Sequence, residues 1–157
     1  MADDLARIAS ELAGRIGEGA MARELRVAVA ESLTSGAIAT RLGAASNSSV
    51  WFAGAVVAYA AETKFRVLKV DRGPVANARC AVQMAKGCAE LLGADLAVAV
   101  TGVGGPDPEE GHPPGTVYVA VSSGAGEVVD QHLFEGGPSE VVAHATIAAL
   151  EKLLAGL

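Results

Sequence analysis

Two short stretches of the chain carry side chains suited to chemistry, and a lysine falls between them. The first, Glu31-Ser32-Leu33-Thr34-Ser35-Gly36, puts three hydroxyls and a glycine directly after the apolar run Val27–Ala30. At the start of a helix, free backbone N–H groups and the helix dipole stabilise an oxyanion or a phosphate. A serine in that place is a nucleophile when a base stands near. The pattern is not the G-x-S-x-G elbow, and plain helix capping by Ser32 or Thr34 accounts for it as well. The second stretch is Thr101-Gly102-Val103-Gly104-Gly105-Pro106-Asp107. Its glycines let the backbone approach a ligand and turn N–H groups toward an anion. It lacks the lysine of a phosphate loop, and Asp107 occupies the place of the last glycine in G-x-G-x-x-G. A simple turn fits it equally. Lys64 is the candidate base, because burial at the head of a helix lowers the pKa of an amine. Beside Glu62 and Arg66 it also fits a solvated face.

Other reactive side chains carry less. His112 falls in a proline-rich loop, His132 near a strand end and His144 inside the last helix, so all three read as surface or packing residues. Asp107, Glu109, Glu110 and His112 contain metal-ligand types, but Pro108 and Pro113 spread them through a solvated loop. Cys80 and Cys88 share one helix, about 12 Å apart along its axis, too far to bridge. They read as small core fillers, and the missing disulfide framework points to a reducing cytoplasm.

The elements that must position these residues follow from periodicity. Leu5, Ile8, Leu12 and Ile16 mark a helix whose end is blurred by Gly17 and Gly19. Val27–Ala30, Phe52–Tyr59 and Leu96–Val100 read as buried strands. Helices are expected from Gly36 to about Leu42, through Glu62, Lys64 and Arg66, and from Asn77, a capping residue, to Leu92. Gly43 to Ser49 reads as turn, and Gly102 to Gly115 as a long loop. Thr116–Val121 and Val128–Phe134 pair as a hairpin around Gly124 and Gly126, and Ser139–Leu154 forms the last helix. Alternating helices and strands with a late hairpin give a three-layer αβα sandwich on a mixed sheet, expected as one domain over residues 1–157.

Composition bounds the partners. The chain has 157 residues, 51% hydrophobic and 19% charged, a balance that excludes disorder. Twelve Lys+Arg against 18 Asp+Glu give net charge −6, which argues against a nucleic-acid or anionic-membrane partner. Aromatics are only 4%, too few for base-stacking platforms. The acidic start, Met1-Ala-Asp-Asp, leads into no signal-peptide core, and no run of 18 apolar residues spans a bilayer.

Four blocks together carry a resemblance. Val27-Ala-Val-Ala-Glu-Ser-Leu-Thr-Ser-Gly36, Ser48-Ser-Val-Trp-Phe52, Tyr59-Ala-Ala-Glu-Thr-Lys64 and Val100-Thr-Gly-Val-Gly-Gly-Pro106 with Pro114-Gly-Thr-Val117 resemble the CinA C-terminal domain family, in order, over about residues 26–154. That family includes amidohydrolases converting nicotinamide mononucleotide to nicotinate mononucleotide and ammonia, without metal or cofactor. The resemblance implies Ser32 as nucleophile, Lys64 as base and Tyr59 as their catalytic neighbour. It implies that N–H groups near Thr34, Ser35 and Gly36 hold the oxyanion, and that Thr101, Gly102, Gly104 and Gly105 seat the phosphate of the pyridine nucleotide. Family habit also implies a homo-oligomer. Departures are specific. Leu33 replaces a usual Cys, Ser35 a glycine and Ala61 an Asn. The G-[DN]-R-x-x-V-R opening of the last helix is here Gly136-Gly-Pro-Ser-Glu-Val-Val142, so Pro138 and Val142 stand for two arginines. The alternative is a weakly active or non-catalytic nucleotide-binding relative.

Overall fold

The computed structural model describes residues 1–157. In chain order the elements are α1 (Ala2–Ala22), β1 (Val27–Glu31), α2 (Ala37–Ala44), α3 (Ser48–Trp51), β2 (Phe52–Val57), α4 (Ala61–Val67) and α5 (Ala78–Leu92). They continue with β3 (Leu96–Gly102), β4 (Thr116–Ser123), β5 (Gly126–Leu133) and α6 (Pro138–Ala155). The sheet runs β2-β1-β3-β4-β5. β1 lies parallel to both neighbours, with Val29 opposite Ala55 on one side and Val98 on the other. β3–β4 and β4–β5 are antiparallel.

The mixed α/β sheet follows from a two-residue rhythm in the strands. Side chains alternate faces along a strand. Val27 and Val29, Leu96, Val98 and Val100, and Val117, Val119 and Val121 therefore share one face with the buried sides of α1, α2 and α6. Ala28, Ala30, Ala97, Ala99 and Ala120 line the other face with α5. Branched side chains fill the first face, where each fully buried Val or Leu is worth roughly 1.5–3 kcal/mol. Alanines on the second let α5 settle close. A Cβ at Gly87 of α5 would meet the Leu68 carbonyl oxygen at 2.0 Å.

The end of α1, blurred in the sequence by Gly17 and Gly19, lies at Ala22. Gly17 is a contact point instead, since a Cβ there would lie 2.9 Å from the Trp51 ring, which is buried. The segment read as turn ends in a short helix, α3, that delivers Trp51 to that contact. Asn77 caps α5 as expected, accepting from the Cys80 N–H at 2.8 Å.

Candidate active site

β1 has β2 on one side and β3 on the other, so the segments leaving β1 and β3 part company at the carboxyl edge of the sheet. Ligands of open α/β sheets collect at such a switch point. A cavity of about 480 Å³ opens there. Ser32, Leu33 and Tyr59 form one wall, Thr101, Gly102, Gly104 and Gly105 a second, and Pro138, Ser139 and Val142 of α6 a third. A larger apolar cavity of about 530 Å³ lies between α1, α2 and α6 and contains neither Ser32 nor Lys64.

Ser32 and Lys64 meet beneath the first cavity. Lys64 Nζ donates to Ser32 Oγ at 2.8 Å, to the Ala58 carbonyl at 2.8 Å and to the Tyr59 carbonyl at 3.0 Å. Lys64 is only 1% exposed, and burial pushes its pKa below the usual lysine value. The three partners matter for what the amine can do. An ammonium satisfies all three with its three hydrogens. A neutral amine gives its two hydrogens to the carbonyls and leaves its lone pair facing the serine hydroxyl. Fixed carbonyls thus aim the amine at Ser32. Tyr59 serves Lys64 through its backbone oxygen, while its ring stands 66% exposed at the cavity wall.

The turn after β1 is held by a residue to which sequence reasoning gave no role. Glu31 is fully buried, and its two carboxylate oxygens accept the N–H groups of Ile38 and Ala39, each at 3.0 Å. An anion at a helix N-terminus is favoured by the dipole and by unfilled N–H groups. Neither Ser32 nor Thr34 caps α2, so the capping alternative fails and Ser32 is left to Lys64. The register carried a signal: Glu31 continues the Val27, Val29 face, where a charge is costly unless bonded. Backbone from Ser35 to Gly36 is left-handed, with φ of 46° and 104°.

This turn sorts its N–H groups. That of Ser35 donates to the Ser32 carbonyl and that of Ala37 to the Thr34 carbonyl, whereas those of Leu33, Thr34 and Gly36 have no acceptor within the chain. Thr34, Ser35 and Gly36 do not line the cavity. Thr34 Oγ1 is buried without a hydrogen-bond partner.

Across the cavity, Thr101 Oγ1 donates to the Val75 carbonyl at 2.8 Å. Gly102 is required by packing, because a Cβ there would meet the Thr116 carbonyl oxygen at 2.2 Å. The N–H groups of Gly104 and Gly105 have no acceptor in the chain. Glu110 pins the loop by accepting from the backbone of Val75 and Ala76. No three His, Cys, Asp or Glu side chains cluster as metal ligands. His132 stacks on Phe134 and Phe134 on His144, while His112 meets the Tyr118 ring edge-on, so all three histidines pack. Burial pushes the thiols of Cys80 and Cys88 up to about 11 and about 12, leaving both protonated core residues.

The fold and the buried serine–lysine contact define an α/β protein with a polar pocket at the sheet's switch point. Residues 9–157 match the model of the CinA C-terminal domain, and the chain belongs to that family. A CinA-like protein of Frankia casuarinae is 37% identical over 143 residues, 86% of this chain and 33% of that protein. A CinA-like protein of Geobacter sulfurreducens is 39% identical over 82% of this chain and 33% of its own. The chain thus spans about a third of the length of the curated relatives it matches. The crystal structure of a CinA superfamily protein from Escherichia coli superimposes with a TM-score of 0.92 at 30% identity, over 95% of this chain and 90% of that one. One from Agrobacterium tumefaciens gives 0.89 at 31%, over 94% of each.

Proposed function

We propose that the chain is an amidohydrolase acting on the carboxamide of a nicotinamide nucleotide or nucleoside, with Ser32 as nucleophile and Lys64 as base. The contact between Lys64 Nζ and Ser32 Oγ, at 2.8 Å and buried, carries this reading. Lys64, as the neutral amine, takes the hydroxyl proton while Ser32 Oγ attacks the amide carbon. The free N–H groups of Leu33 and Thr34 are the donors nearest in sequence to the attacking oxygen, and they receive the developing oxyanion. Lys64 then passes the proton to the departing nitrogen, the C–N bond breaks, and ammonia leaves a nicotinoyl ester on Ser32. Water, giving its proton to Lys64, attacks that ester and restores the serine with release of the carboxylate. Tyr59 is a positioning residue, through the carbonyl that orients Nζ.

The absence of any arginine on the cavity wall favours the second reading, a weakly active or non-catalytic relative that keeps the fold and the pocket. Product analysis separates them. Incubation with nicotinamide mononucleotide and with its riboside is expected to release ammonia and the matching acid in equal amounts from at least one. No ammonia from either would leave only the binding role.

A further inference from the structure

The charge pattern of the cavity says which nicotinamide derivative belongs in it. Its lining holds one ionisable acid, Glu109, and no arginine; the nearest lysine, Lys64, is buried and committed to Ser32. The exposed Glu109 carboxylate is on the cavity wall with no salt-bridge partner, and its charge reaches Lys64 below as well as a ligand in the cavity. No lysine or arginine lines the cavity. Arg79 pairs with Asp71, Arg72 with Glu62, and Arg41 lies in the neighbouring cavity donating to Ser10. What the wall offers a polar group is neutral: the N–H groups of Gly104 and Gly105 and the Ser139 side chain. A phosphate there would face a carboxylate and find no cationic side chain on the cavity wall. An N-substituted nicotinamide carries a positive pyridinium ring, and its sugar hydroxyls need only neutral partners.

We propose that this pocket takes an unphosphorylated, cationic N-substituted nicotinamide, such as the riboside, and discriminates against the 5′-phosphorylated form through Glu109 and the lack of any cationic side chain on the cavity wall. The inference rests on the amidohydrolase reading for the identity of the ring, but binding tests it separately from turnover. In calorimetric titrations of the Ser32→Ala protein, which cannot acylate, the riboside is expected to bind roughly 3- to 30-fold more tightly than the mononucleotide. Glu109→Gln in the same background, a change at a side chain with no salt-bridge partner, is expected to shrink that ratio toward unity. Equal or tighter binding of the mononucleotide overturns the inference, as does failure of both to bind. A ratio unmoved by Glu109→Gln overturns the role of Glu109. Preferential riboside binding with no ammonia released by the wild-type protein would instead remove the hydrolase reading and leave the selectivity standing.

Discussion

At the scale of residues, the account turns on the protonation of Lys64. Burial holds its pKa below the ordinary lysine value of 10.5, and only the neutral amine accepts a proton from Ser32. kcat/KM is therefore expected to rise with pH through one ionisation lying below 10.5, then level off. A pH–rate profile checks this, and a profile falling toward alkaline pH would contradict it. The same shift affects stability with a definite sign. Between the folded and unfolded pKa values the unfolded chain holds the extra proton, so stability rises with pH across that window and is lower beneath it. Lys64→Met keeps the buried volume without the titration. Denaturation midpoints at several pH values are expected to show wild type gaining on Lys64→Met as pH rises.

At the scale of elements, Glu31 couples β1 to α2 and so shapes the turn that presents Ser32. Glu31→Ala leaves two helix N–H groups without their buried acceptor, a loss of about 1–3 kcal/mol. It is also expected to lower kcat more than KM, because the turn rather than the pocket wall loosens. Glu31→Gln keeps one amide oxygen as acceptor and is expected to recover part of both effects. Denaturant titration and steady-state kinetics on the two variants check this. The elements themselves were mostly legible, and for local reasons. The Val–Ala rhythm of β1 and β3, the Asn77 cap and the glycines of the β4–β5 turn are all written within a few residues. What was not legible depends on distant partners. Gly17 looks like a helix stop until Trp51 is seen against it, and Glu31 looks like part of a polar loop until its register places it under α2. The resemblance implies Tyr59 as a catalytic neighbour, yet its tie to Lys64 runs through a carbonyl that every residue type possesses.

At the scale of the whole molecule, the accessible surface of 7423 Å² lies close to the roughly 7,300 Å² expected for this mass, so the cavities are opened without unusual exposure. α6 closes the site from the far end of the chain and places Val142, where the family resemblance implies an arginine, on the cavity wall. Val142→Arg is expected to lower KM for the mononucleotide about 10-fold or more, the worth of one charge-assisted contact, with little change for the riboside. Comparing KM for both substrates checks it. The central claim, that Ser32 and Lys64 act as one unit, is tested most directly by a double-mutant cycle on ammonia release. Ser32→Ala and Lys64→Met are each expected to reduce kcat by about 10³-fold or more, with the double variant no worse than either. Near-normal kcat in Lys64→Met, or losses that multiply in the double variant, would contradict the account.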